Sequence, residues 1–175
     1  GVDPIVVTSQ IVLGLQTIVS RENNPTDPVV ITVGSIHGGT QGNIIPDEVR
    51  LQLSVRTYTP EVRRKTLAAI RRIAHGAAIS AGAPREPDVI TQGDNAAGSV
   101  VYNDPALTAR LAAALKTSLG EKTVVEMPAK MTSEDFAEYW NTGKVPSVLL
   151  HIGAVNAAKL AEIQRTGIPG PAPHS

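Results

Sequence analysis

The sequence predicts an α+β fold whose first part is a ferredoxin-like sandwich, with two helices on one face of an antiparallel sheet. Three observations predict it. A capping residue precedes proline at Asp3-Pro4, Thr59-Pro60 and Asp104-Pro105, which marks three helix starts. Between the first two lie a β-branched run, Val29 to Ile36, and a segment from Val49 to Tyr58 that alternates apolar and polar residues. A short strand candidate, Val89 to Thr91, then completes the order helix, strand, strand, helix, strand, a split βαβ pair without its leading strand.

Composition bounds the function. Hydrophobic residues make up 42% of the 175, enough for a core, but there are only one Trp, one Phe and three Tyr. The core must therefore be aliphatic, and stacking platforms for single-stranded nucleic acid are not expected. Sixteen basic and sixteen acidic residues leave no net field to attract nucleic acid or an anionic membrane. Cysteine is absent, which rules out disulfides and thiolate metal sites, fits the reducing cytoplasm, and leaves His, Asp and Glu as the strong metal ligands. The chain opens on Gly1 rather than Met and has no leader pattern, so it is expected to be an internal piece of a longer protein.

In the first helix, Val7, Ile11, Val12, Leu15, Ile18 and Val19 recur at three- and four-residue spacing until Asn23-Asn24-Pro25 stops it near Glu22. Thr8, Ser9, Gln10, Gln16 and Thr17 make this run too polar to span a bilayer. Gly38-Gly39-Thr40 turns the chain between the two strands, which form a hairpin with a long loop. In the second strand Val49, Leu51, Leu53 and Val55 point to one side, and Arg50, Gln52, Ser54 and Arg56 to the other. The second helix buries Val62, Leu67, Ile70, Ile73, Ala74, Ala77 and Ala78 and ends before Gly82 and Pro84. Its Arg63, Arg64, Lys65, Arg71 and Arg72 read as a solvated face rather than a nucleic-acid patch, because no aromatic residue is interleaved.

The sequence loosens at Gly93-Asp94-Asn95-Ala96-Ala97-Gly98, which divides it into residues 1–97 and 98–175. A third helix from Pro105 to Gly120 carries Leu107, Leu111, Ala114 and Leu115 on its apolar side. A strand at Val124-Val125, a short helix through Trp140, a buried strand from Ser147 to Ile152 and a proline-rich tail follow.

Arg56 offers a fork of fixed donors suited to a carboxylate or phosphate, and Asn43 can donate and accept, so an anion could be held on the hairpin. A solvated polar face with a turn asparagine is the alternative. Ser133-Glu134-Asp135 reads first as a capped helix start with acidic residues at the positive end of the dipole, and second as paired carboxylates. His37, His75, His151 and His174 are scattered, with no helical His pair, so this chain is not expected to build a metal site alone. His151 reads as a core or pocket-edge residue and His174 as part of an exposed tail. Serine elbows and phosphate loops are absent.

Taken in order, Asp3-Pro4-Ile5-Val6-Val7, Val33 to Thr40, Asn43-Ile44-Ile45-Pro46-Asp47-Glu48, Val55-Arg56, Met131-Thr132-Ser133-Glu134-Asp135-Phe136 and Pro171-Ala172-Pro173-His174-Ser175 form a series of landmarks. The series resembles the metal-dependent amidohydrolases and metallopeptidases that include hippurate hydrolases, N-acyl-amino-acid hydrolases and auxin-conjugate hydrolases. The resemblance implies a catalytic domain with two divalent metals (zinc, manganese, cobalt or nickel), interrupted by a ferredoxin-like lid through which two copies pair. Residues 1–97 would be the lid without its first strand, and 98–175 the C-terminal part of the α/β catalytic domain.

The substrate it implies is an N-acyl amino acid or small peptide. The substrate carboxylate would be bound by Asn43 and Arg56, with His37 and Glu134 also at the substrate, and His174 would be a metal ligand. The family's remaining ligands and its general-base glutamate fall upstream of Gly1, so the chain alone is expected to be inactive and to bind no metal. Apolar surface from residue 98 onward is expected to be exposed or paired with another chain. The competing reading is a non-catalytic ferredoxin-like module for dimerisation or ligand binding.

Overall fold

The computed structural model describes residues 1–91, 100–131 and 134–168. α1 (Pro4–Thr17) runs directly into a π-helical stretch (Ile18–Glu22), and β1 (Val29–Gly38), β2 (Val49–Thr57) and α2 (Pro60–Ser80) follow. After these come α3 (Pro105–Leu119), α4 (Glu138–Asn141) and α5 (Ala157–Thr166), with 3-10 turns at Glu121–Thr123 and Asp135–Ala137. β1 and β2 form an antiparallel pair with α1 and α2 against one face, so the expected α+β class is the one observed. The expected division at residue 97 lies outside the described residues.

The helix starts are held by the expected caps. The Asp3 carboxylate accepts from the Ile5 N–H at 2.8 Å, the Thr59 hydroxyl from Val62 at 3.2 Å, and Asp104 from Leu107 at 2.8 Å. Pro4, Pro60 and Pro105 open the helices, where their missing N–H costs nothing. In the first turn of α2, Glu61 meets Lys65 at 2.8 Å; this hydrogen-bonded pair holds the carboxyl below its ordinary range and the ammonium above it.

The core is where α1 and α2 cross beneath the hairpin. Val7, Ile11, Leu15 and Ile18 meet Ile70 and Ala74, with Ile31, Val33, Leu51, Leu53 and Val55 packed over them. Leu15 is 0% exposed. Burying such a side chain stabilises the fold by about 1.5–3 kcal/mol. Thr66 is also buried, and its hydroxyl donates back to the Val62 carbonyl at 2.8 Å, so it brings no unpaired polar atom into the core. Val19 departs from expectation: it is exposed beyond the crossing, where the π-helical stretch has shifted the helix phase. Gly14 is needed at the crossing, because a Cβ there would stand 2.8 Å from Cγ2 of Ile73.

Register is broken once. Val33 pairs with Leu53 but Ser35 pairs with Gln52, so Gly34 is the extra residue of a β-bulge. Were Gly34 paired in register instead of forming the bulge, alternation from Val33 would send Ser35 and His37 toward the helices. With it, Ile36 opposes Leu51 on the helix side, beside Ile5 and Thr8 of α1, and His37 opposes Arg50 on the polar face. The Ser35 hydroxyl then donates to the Gln52 side-chain carbonyl at 2.8 Å across that face.

Three expected strands are not part of this sheet. Residues 89–91, 124–125 and 147–152 run without a strand partner among the described residues, and β-branched composition alone cannot make a ladder. Val89 still packs on the core cluster. The segment around Leu149 is held instead by the Asn103 side chain, which donates to the Leu149 carbonyl at 3.0 Å and accepts from its N–H at 2.9 Å. His151, expected at a core or pocket edge, is exposed. α5 was not anticipated; Asn156 caps it and Gly167, at φ 68°, ends it in the left-handed conformation.

From α3 onward burial is sparse. α3 has no fully buried residue, and Val125, Tyr139 and Ile152 are exposed, Ile152 at 83%. The rings of Tyr102 and Trp140 lie with centroids 5.0 Å apart. No helix among the described residues is long and apolar enough to cross a membrane.

Two outcomes follow from this packing. Gly14→Ala should lower stability by about 1–3 kcal/mol through overpacking against Ile73, measured as a denaturant midpoint, with partial recovery in the Gly14→Ala/Ile73→Ala double variant. Deleting Gly34 should leave Ile36 and His37 on their present faces and change stability by no more than about 1 kcal/mol, because it removes only the residue that lacks a partner. Loss of the cross-strand His37–Arg50 contacts in the NMR spectrum of the deletion variant would contradict the bulge assignment.

Candidate functional site

The polar face of the hairpin carries Thr32, Ser35 and His37 on β1 and Arg50, Gln52, Ser54 and Arg56 on β2. At its loop end the chain closes on two required glycines. A Cβ at Gly38 would stand 2.6 Å from Cγ2 of Val49, and Gly39 has φ 77°, a left-handed conformation that disfavours other residues. Beyond this turn an open concavity of about 600 Å³ is lined by His37, Thr40, Ile44, Pro46, Glu48 and Arg50, among others. Arg50 and Glu48 form an ion pair at 2.9 Å on its rim. Asn43 belongs to the same loop but is not one of the lining residues.

Arg56 stands at the other end of the strand. Seven residues separate it from Val49, roughly 23 Å at about 3.3 Å per residue. The structure therefore places His37 and Asn43 at one end of the hairpin and Arg56 at the other. There the Arg56 Nη1 donates to the main-chain carbonyl of Met131 at 2.5 Å, across 75 residues of sequence. Met131 lies three residues before Glu134, which is exposed and immediately precedes the 3-10 turn Asp135–Ala137. Arg56 and Met131 are thus brought together. Ser133 and His174 lie outside the described residues.

The sequence reading passed over Arg50 as a pocket residue. It also took Val29 to Ile36 as an unbroken strand, although an isolated glycine inside a strand pattern is the signal of a bulge. Among the described residues no group of three or more His, Asp or Glu converges as a metal site. His75 Nε2 lies 2.9 Å from the Glu86 carboxylate, well away from the polar face on α2.

The M20 family of peptidase dimerisation domains matches residues 1–80. An N-acetyldiaminopimelate deacetylase from Leuconostoc citreum is 32% identical over 164 residues, which is 94% of this chain and 41% of that protein. An N-acetyl-L-cysteine deacetylase from Bacillus subtilis is 49% identical over 65 residues, 37% of this chain and 16% of that protein. Among solved structures, the Bacillus subtilis YXEP protein, a dinuclear metal-binding peptidase of the M20 family, superposes with a TM-score of 0.58 at 28% identity. That match covers 83% of this chain and 35% of that one. A protein from methicillin-resistant Staphylococcus aureus gives a TM-score of 0.64 at 33% identity, covering 79% and 34%. The chain spans about two fifths of the length of the deacetylases it matches along most of its own length. With the helix–hairpin–helix unit matched by the dimerisation domain and most of the chain aligned with these hydrolases, the chain belongs to the M20 family of amidohydrolases and peptidases.

Proposed function

We propose that this chain supplies the dimerisation lid, residues 1–97, and part of the catalytic domain, residues 98–175, of a metal-dependent amidohydrolase. The enzyme removes the acyl group from N-acyl amino acids in the cytoplasm. The observation that carries this is Arg56 on the solvent side of the hairpin in a chain related to two deacetylases whose named substrates are N-acetylated amino acids. Such substrates present a free carboxylate, and an arginine fork is the side chain best shaped to receive it. In this reading Arg56 and Asn43 bind that carboxylate, His37 lines the approach to it, and Glu134 lies beside the reacting end. His174 contributes one ligand to a two-metal centre whose other ligands lie elsewhere in the whole protein. The apolar side chains exposed from Val125 to Ile152 pack against the remainder of that domain. The chain by itself binds and orients substrate and does not hydrolyse it.

The distance along β2 between Asn43 and Arg56 is more than one carboxylate can bridge, and dimerisation resolves it. Each complete site takes the loop end of one protomer and the Arg56 end of its partner, which matches the description of this domain as one for dimerisation.

The test is hydrolysis of a panel of N-acetyl amino acids by the whole protein with a divalent metal restored after chelation. Arg56→Ala should raise KM for the free acids about tenfold to a hundredfold, from the about 1.5–3 kcal/mol carried by a hydrogen bond to a charged group, and much less for the corresponding amides. Equal effects on acids and amides would remove Arg56 from carboxylate binding. Mixing Asn43→Ala and Arg56→Ala proteins should restore the low KM for free acids that neither has alone, through dimers that keep one intact site; no recovery on exchange of protomers would show that both residues act within a single chain.

A further inference from the structure

The Arg56–Met131 contact does something that carboxylate binding alone does not require. Arg56 is an exposed residue at the end of a polar strand face, yet its Nη1 reaches a main-chain carbonyl 75 residues on. That carbonyl belongs to the segment leading into Glu134, in a part of the chain with few buried side chains to fix it. A guanidinium has five donors in a rigid plane. With Nη1 given to Met131, the Nε and Nη2 edge makes no hydrogen bond among the described residues, and it is an edge that can receive a carboxylate bidentately.

We infer that Arg56 is a positioning residue as well as an anion-binding one: it ties the Met131 carbonyl to the hairpin, so that a carboxylate on its free edge and the hold on Met131 are one coupled event. The inference rests on the carboxylate role given to Arg56 above. The main-chain carbonyl fixes the plane of the guanidinium, and the bound anion in turn removes the freedom of Arg56 to swing away from Met131. Lysine cannot replace it, because an ammonium has no second edge held at a fixed angle to the first.

The chain itself provides the probe. It contains two methionines, Met127 and Met131, so labelling methionine carbonyls with ¹³C gives two signals, and ¹⁵N-threonine identifies the one that precedes Thr132. In the 175-residue protein, Arg56→Ala and Arg56→Lys should both move the Met131 signal upfield as its hydrogen bond is lost and leave Met127 in place. Arg50→Ala, on the same strand face, should move neither. Far-UV circular dichroism checks that each variant keeps its fold. N-acetylalanine should shift the Met131 signal further in the wild-type protein and leave it unmoved in both Arg56 variants. A Met131 signal unmoved by either Arg56 substitution overturns the tie and leaves the carboxylate role to the KM comparison. A signal that moves in the variants but ignores N-acetylalanine in the wild type overturns the coupling and counts against the carboxylate role.

Discussion

Leu15 is fully enclosed where α1, α2 and the inner face of the hairpin meet, and the direction of every polar side chain on the outer face follows from the apolar contacts made there. A strand has only two faces. Once Leu51, Leu53 and Val55 are committed to the helices, Arg50, Gln52, Ser54 and Arg56 are committed to the other side. A slip of one residue would press two guanidinium groups onto an aliphatic core with no acidic partner, which costs far more than a misplaced leucine. The close approach of the helices at Gly14 brings Leu15 into this position, and the bulge at Gly34 lets β1 obey the same commitment while still turning His37 outward.

The second part of the chain is organised by different means. α3 and α5 have side-chain caps of their own, but among the described residues hydrogen bonds that Asn103 and Arg56 make with the main chain do much of the joining. Such bonds fix position without burying area. A segment held in this way can be shifted at small cost, and it leaves apolar side chains such as Val125 and Ile152 exposed.

Local chemistry was the legible part. Each cap–proline pair announces its helix, and the alternation from Val49 to Arg56 announces both the strand and its two faces. What could not be read required a partner. The runs at 124–125 and 147–152 have strand composition, but pairing depends on a neighbour that composition does not name. α5 carries a local sign that went unused, the cap Asn156 followed by Leu160 and Ile163 at helical spacing, but Ala157–Thr166 buries no residue fully. At the candidate site, the anion-binding character of Arg56 is visible in the side chain itself, and family resemblance supplied the role. Its tie to Met131 is a tertiary event between residues far apart in sequence, with no local sign at either end.

The Tyr102–Trp140 contact has a practical consequence. Trp140 is the sole tryptophan, and the helix–hairpin–helix unit contains a single aromatic residue, Tyr58. Indole emission is therefore a local reporter placed in the sparsely packed part of the chain and nearly blind to the core around Leu15. A melting curve followed by fluorescence and one followed by helical circular dichroism observe different regions, and comparing their midpoints asks whether the two parts unfold as one body or in sequence.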